Sequence, residues 1–205
     1  MHTTKHPSFT PKDLAKLRQL IVASRANSDK YSWIHLVDTQ SMSPSLDGDI
    51  DLLIEWTQPY KYHHGDLIVI SKPDLPFLVV HRACLWRTGI KGQDVLQIAD
   101  QFIFANELSA SWVDLQDVLG RVVQIRYGRE GRTAPLNSTL IQGFASQIAK
   151  LALCRYNLLN AQTYTQNRSD RIAMQFTAIQ HRLICYIFRI TLFLSSYLTR
   201  KKQLP

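Results

Sequence analysis

The chain has 205 residues, 45% of them apolar and 20% charged, a balance that builds a buried core of ordinary size and excludes a disordered chain. Its three cysteines, Cys84, Cys154 and Cys185, are too few and too scattered for a disulfide framework. None stands at metal-ligand spacing from a histidine, so no metal or cofactor is expected. The net charge of +8 is unevenly held: residues 1–120 carry 11 Lys and Arg against 14 Asp and Glu, whereas residues 121–205 carry 13 against 2. Two parts with different tasks are expected.

The N-terminal stretch "MHTTKHPSFTPKDLAKLRQL" has no apolar run of the kind a cleavable signal peptide or an N-terminal anchor needs. Synthesis in the cytoplasm is the expectation, with the product either cytoplasmic or membrane-associated. Thr10, Pro11 and Asp13 form a helix start, and Leu14, Leu17, Leu20 and Ile21 share one apolar face, which predicts a short helix over 11–24. From Ser32 to Tyr127 the pattern changes. "WIHLV", "IDLLIEW", "DLIVIS", "FLVVHRACLW", "DVLQIA" and "RVVQIRY" are short runs rich in Val, Ile, Leu and aromatics, punctuated by Gly48-Asp49, Gly65-Asp66, Pro73-Asp74, Gly89 and Gly92. They predict a mainly β domain, a barrel-like coiled antiparallel sheet. The Gly/Arg-rich "GREGRTAPLNS" reads as a linker. The expected organisation is an N-terminal helical arm (1–30), a β domain (31–128) and a basic helical appendage (129–205).

Two helices are predicted in the appendage. Leu140, Ile141, Phe144, Ile148, Leu151 and Ala152 recur at helical spacing in the first. Ile172, Phe176, Ile179, Leu183, Ile187, Ile190 and Leu194 do so in the second. The segment "LICYIFRITLFLSSYL" (183–198) is nearly all apolar, is interrupted by Arg189, and is followed by Arg200, Lys201 and Lys202. A membrane span needs roughly 20 apolar residues, and a central arginine costs about 2.5–3.5 kcal/mol on insertion. Residues 183–202 are therefore marginal as a span. They suit a membrane surface or packing on the β domain, and the apolar content of both helices favours a lipid or protein partner over nucleic acid.

Within the β domain two places carry chemistry rather than core. In "DTQSMSPSLDGD" (38–49) Pro44 fixes its own backbone and restricts Ser43, so the preceding run "WIHLV" must end and Ser41 must fall on a turn. In "VVHR" His81 and Arg82 follow an uninterrupted apolar run. A serine hydroxyl is a weak nucleophile near neutral pH until an imidazole in reach takes its proton. His63 and His64, beside the Gly65-Asp66 turn, read as turn residues, and Asp66 as a residue that closes a hairpin. No phosphate-cradling glycine loop, dinucleotide fingerprint or zinc-protease motif is present in the sequence.

The succession "SMSPSL", "GDLIVI", "VVHR", "IAD" and "DVLGRVV" resembles the type I signal peptidase family and its related serine peptidases, over residues 30 to 127. The resemblance implies a β peptidase of the signal-peptidase type in which Ser41 is the nucleophile. Histidine at the position of the base, in place of lysine, resembles the endoplasmic-reticulum branch and makes His81 the base. That branch has its third residue in a "KGD" block, which corresponds here to Asp100 in "QIADQ", although Ile98 and Ala99 stand where the lysine and glycine would be. In such a triad Ser41 attacks a peptide carbonyl, His81 shuttles the proton, and Asp100 fixes the imidazole tautomer. The Ser41 amide, with the Thr39 hydroxyl, would hold the oxyanion. The implied substrates are leader or signal segments of peptides or preproteins, cut after small residues. Two other readings remain: a self-cleaving regulator of the same fold, and a catalytically inactive binding module.

Overall fold

The computed structural model describes residues 30–36, 41–46, 48–56, 62–71, 78–88, 93–99, 110–128, 131–162 and 168–201. The helix expected over 11–24, Thr39 and Asp100 lie outside these residues.

Among the described residues eight strands form one sheet: β1 (Tyr31–Leu36), β2 (Ile50–Glu55), β3 (Leu67–Ser71), β4 (Leu78–Thr88), β5 (Gln93–Ile98), β6 (Ala110–Asp114), β7 (Val118–Tyr127) and β8 (Arg132–Pro135). The order is β1-β2-β7-β3-β4-β5-β6, with β8 added to β7, and every pairing is antiparallel. Among the described residues no ladder joins β1 to β6, so the sheet is open where a barrel-like closure was expected. Strand β7 organises it. Residues 121–127 pair with β2 along one edge, while the other edge serves β3 at residues 118–121 and β8 at residues 124–127.

Burial follows from position in this order. The edge strand β1 alternates exposed and half-buried residues, the period of a strand with one wet face. The central strand β3, "LIVIS", is buried throughout. Its Leu67 and Val69 enter one core cluster, together with Leu52, Ile54, Val122 and Ile125, and its Ile68 and Ile70 enter a second with Ala83, Val95, Val113 and Val118. The first cluster is sealed by two helices, α1 (Thr139–Gln162) and α2 (Arg168–Lys201), through Ile141, Ile148, Cys185, Phe188 and Leu192. The second is drawn mainly from the sheet itself. A third joins Cys84, Leu96 and Ile98 to Ala149 and Ala152 of α1. Cys84 is the extra residue of a bulge, since the β4–β5 register steps between Ala83 and Leu85.

Two strands were not foreseen. β6, "ASWVD", is short and mixed, and β8 falls inside the segment read as a linker. Pro135 can serve in β8 because this strand lies at an edge, where a missing N–H breaks no ladder. Pairing with β7 and contact with α2 bind the linker segment to the β domain, so the helices are anchored to the sheet.

The second helix is present as expected, and the structure supplies the orientation that its spacing left open. Its core-facing residues are Thr177, His181, Cys185, Phe188, Leu192 and Ser196, whereas Ile172, Phe176, Ile179, Leu183, Ile187, Ile190 and Leu194 are exposed. The periodicity seen in the sequence belongs to the outer face. The buried stripe escaped notice because half of it is Thr, His and Ser.

Candidate active site

Ser41 lies in a turn, described from 41 to 46, in which the Leu46 N–H donates to the Met42 carbonyl at 2.9 Å. Ser41 itself is half-buried, and the peptide bond before Pro44 is cis. Met42 and Leu46 are buried in the first core cluster, which also holds Val80. The methionine beside the candidate nucleophile is thus a packing residue, and it fastens the turn to the first cluster, whereas His81 faces the second.

His81 is only 4% exposed. It pairs with Ile68 of β3, which puts it on the side of the second cluster with Ala83 two residues on. Its Nδ1 bonds Gln97 Oε1, and Gln97 Nε2 donates to Ser111 Oγ at 2.5 Å. Gln97 pairs with both Ala83 and Ser111 in the ladders, so β4, β5 and β6 carry this polar row across one face of the sheet. With Nδ1–H donated to the amide oxygen, the lone pair of a neutral imidazole sits on Nε2. That is the tautomer a general base toward serine requires.

Gln97 is the residue that sequence reasoning missed. It is fully buried on a strand whose other inner residues are Val95, Leu96 and Ile98. A buried amide costs free energy unless it is hydrogen-bonded, so a glutamine inside "DVLQIA" was a signal that a polar partner faced it.

Arg82 supports the same strand from the opposite side. Its guanidinium is fully buried, donates from Nη1 to the Gly65 carbonyl at 2.8 Å, and lies 5.2 Å from the Phe188 ring centre. Gly65 has φ of +97°, and a side chain there would meet the backbone of Ala145 and Ser146 within 2.8 Å, so the turn before β3 lies directly against α1. Asp66 closes that turn as expected, accepting from the His63 N–H at 2.8 Å, and its carbonyl accepts from the Ala83 N–H at 2.9 Å. His63 is exposed as expected, but His64 is half-buried. Burial holds His64 below the usual imidazole range, with Lys150 and Arg82 acting in the same direction against a bond to the Cys84 backbone.

A cavity of about 240 Å³ lies between this turn and the helices, lined by His63, Asp66, Val122, Ile141, Gln142 and Ser146 among others. Neither Ser41 nor His81 lines it. Among the described residues no cluster of three or more His, Cys, Asp or Glu could hold a metal ion. No protein-family model matches the chain, and no curated protein or solved structure proves similar to it.

Proposed function

We propose that the protein is a serine endopeptidase that removes leader or signal segments from peptides or preproteins, cutting after small residues. Ser41 Oγ attacks the scissile carbonyl while His81 Nε2 takes its proton. The tetrahedral oxyanion is held by the Ser41 amide and the Thr39 hydroxyl. The protonated His81 then gives its proton to the leaving amine, and a water activated by the same nitrogen hydrolyses the acyl-enzyme. The observation that supports this reading is the bond between His81 Nδ1 and Gln97 Oε1; with Nδ1 as its donor, the lone pair of the neutral ring is on Nε2. Gln97 orients the ring without adding charge, and Asp100 supplies the carboxylate that stabilises the imidazolium.

The second reading, an inactive binding module, draws on the same row. A nearly buried histidine with a neutral amide partner also suits a structural polar network. The two part on one experiment. The protein is incubated with a library of leader-type peptides, and new termini are read by mass spectrometry beside Ser41→Ala and His81→Ala. Cleavage after small residues that disappears in both variants supports the peptidase. An empty spectrum from the folded wild type removes it. A protein that cuts its own chain when incubated alone is the self-cleaving regulator.

A further inference from the structure

The outer face of α2 has no role in the core and none in the proposed chemistry. Taken at about 100° per residue, its buried residues Thr177, His181, Cys185, Phe188, Leu192 and Ser196 lie on one side. Ile172, Ile179, Leu183, Ile187, Ile190 and Leu194 lie half a turn away, exposed. The helix thus carries two apolar stripes back to back, and the outward one is the more apolar. From Ile172 to Leu198 it extends roughly 40 Å at 1.5 Å per residue, far more than the scattered exposed hydrophobics of a soluble surface.

The residues beside the stripe say what would cover it. Arg171, Arg182 and the half-buried Arg189 fall in one row along a single flank, and Tyr186, Phe193 and Tyr197 lie between that row and the aliphatic residues. Phe193 also packs edge-on to Tyr127 of β7 and Tyr197 is held by Arg132 of β8, so Tyr186 is the aromatic whose contacts stay on the helix. Arg182 and Tyr186 are joined across one turn, the guanidinium 5.7 Å from the ring centre. The sequence of the helix, residues 168–201, holds six Lys and Arg against one Asp. Arginine, then aromatic, then aliphatic is the order met on passing from anionic headgroups through the interface to the acyl region. A second copy of the chain would set two strongly cationic helices face to face. Among the described residues no helix is long and apolar enough to cross a membrane, which leaves the helix lying in the surface plane.

We propose that the outer face of α2 docks on an anionic lipid bilayer, its aliphatic stripe immersed and its arginine row on the headgroups. The proposal uses no part of the peptidase reading, and its test does not depend on activity. The full chain is floated with vesicles of phosphatidylcholine alone and with vesicles containing roughly 30% phosphatidylserine, at low and high salt. Flotation with the anionic vesicles, weakened by salt, is expected. Leu183→Glu with Leu194→Glu should abolish it, and both positions are exposed, so circular dichroism and the melting temperature should be unchanged. Arg171→Gln with Arg182→Gln keeps the stripe and should weaken partitioning about 30-fold. The proposal is overturned if the anionic vesicles leave the protein behind, or if they float the folded double-glutamate variant as well as wild type. It is also overturned if sedimentation finds a dimer that the double-glutamate variant dissolves, which would assign the stripe to a second copy.

Discussion

Gly65→Ala tests whether the turn before β3 is seated on α1. The residue has φ of +97°, and an added Cβ would stand 2.6 Å from the Ala145 carbonyl carbon and 2.8 Å from the Ser146 nitrogen. Left-handed backbone costs a non-glycine residue about 1–2 kcal/mol. The clash is with helix backbone, which cannot rotate away, and overpacking of this kind adds about 1–3 kcal/mol. A loss of about 2–5 kcal/mol is expected, a large part of the 5–15 kcal/mol that holds a typical domain. Gly48 provides the control. It also has positive φ, at +90°, but nothing lies within 4 Å of its added Cβ, so Gly48→Ala should lose only the backbone share. Urea unfolding of the two variants isolates the contact. If Gly65→Ala loses no more than Gly48→Ala, the turn before β3 is not seated on α1 as described.

Glu55 predicts a pH dependence. Burial pulls its carboxyl up, but hydrogen bonds from Lys30 at 2.8 Å and Arg121 at 2.7 Å outweigh burial and hold it below the ordinary glutamate value. Its stabilising share is therefore present above pH 4.5 and lost as the pH falls through the lower folded value. Glu55→Gln should cost about 1–2 kcal/mol at neutral pH, and the gap from wild type should close in acid. A gap in urea midpoint that does not change with pH would refute the pairing. The two faces of α2 should respond oppositely to truncation. Leu192→Ala, at a fully buried position, should cost about 2–5 kcal/mol, while Leu194→Ala, at a 56% exposed one, should stay within about 0.5 kcal/mol. Equal losses in thermal unfolding would mean that the helix is rotated from the orientation described.

Six of the eight strands were legible because their apolar runs are long or strictly alternating, from "WIHLV" to "RVVQIRY". β6 and β8 were not, since a four- or five-residue edge strand needs little apolar surface and takes its hydrogen bonds from a neighbour far off in the chain. Closure of the sheet could not be read from composition at all, because it depends on which edges meet. Both appendage helices were legible, but the outward stripe of α2 outweighed its polar inward one. At the candidate site, Ser41 and His81 stood out as polar residues at the end of apolar runs. Gln97 did not, because a single buried amide takes its meaning from the histidine opposite it, which only the register of β4 on β5 reveals.

Strand β7 has a consequence for the order in which the chain is made. β2 and β3 leave the ribosome early, but the partner both need arrives much later; Asp51 and Arg126, ion-paired across β2 and β7, are separated by 75 residues. Until residues 118–127 emerge, Ile50, Leu52 and Ile54 on one strand and Leu67 to Ile70 on the other offer unpaired apolar edges to any neighbour. A nascent chain stalled before β7 is thus the form of this protein most exposed to aggregation. Synthesis of a single ten-residue strand converts both edges at once into the interior of the sheet.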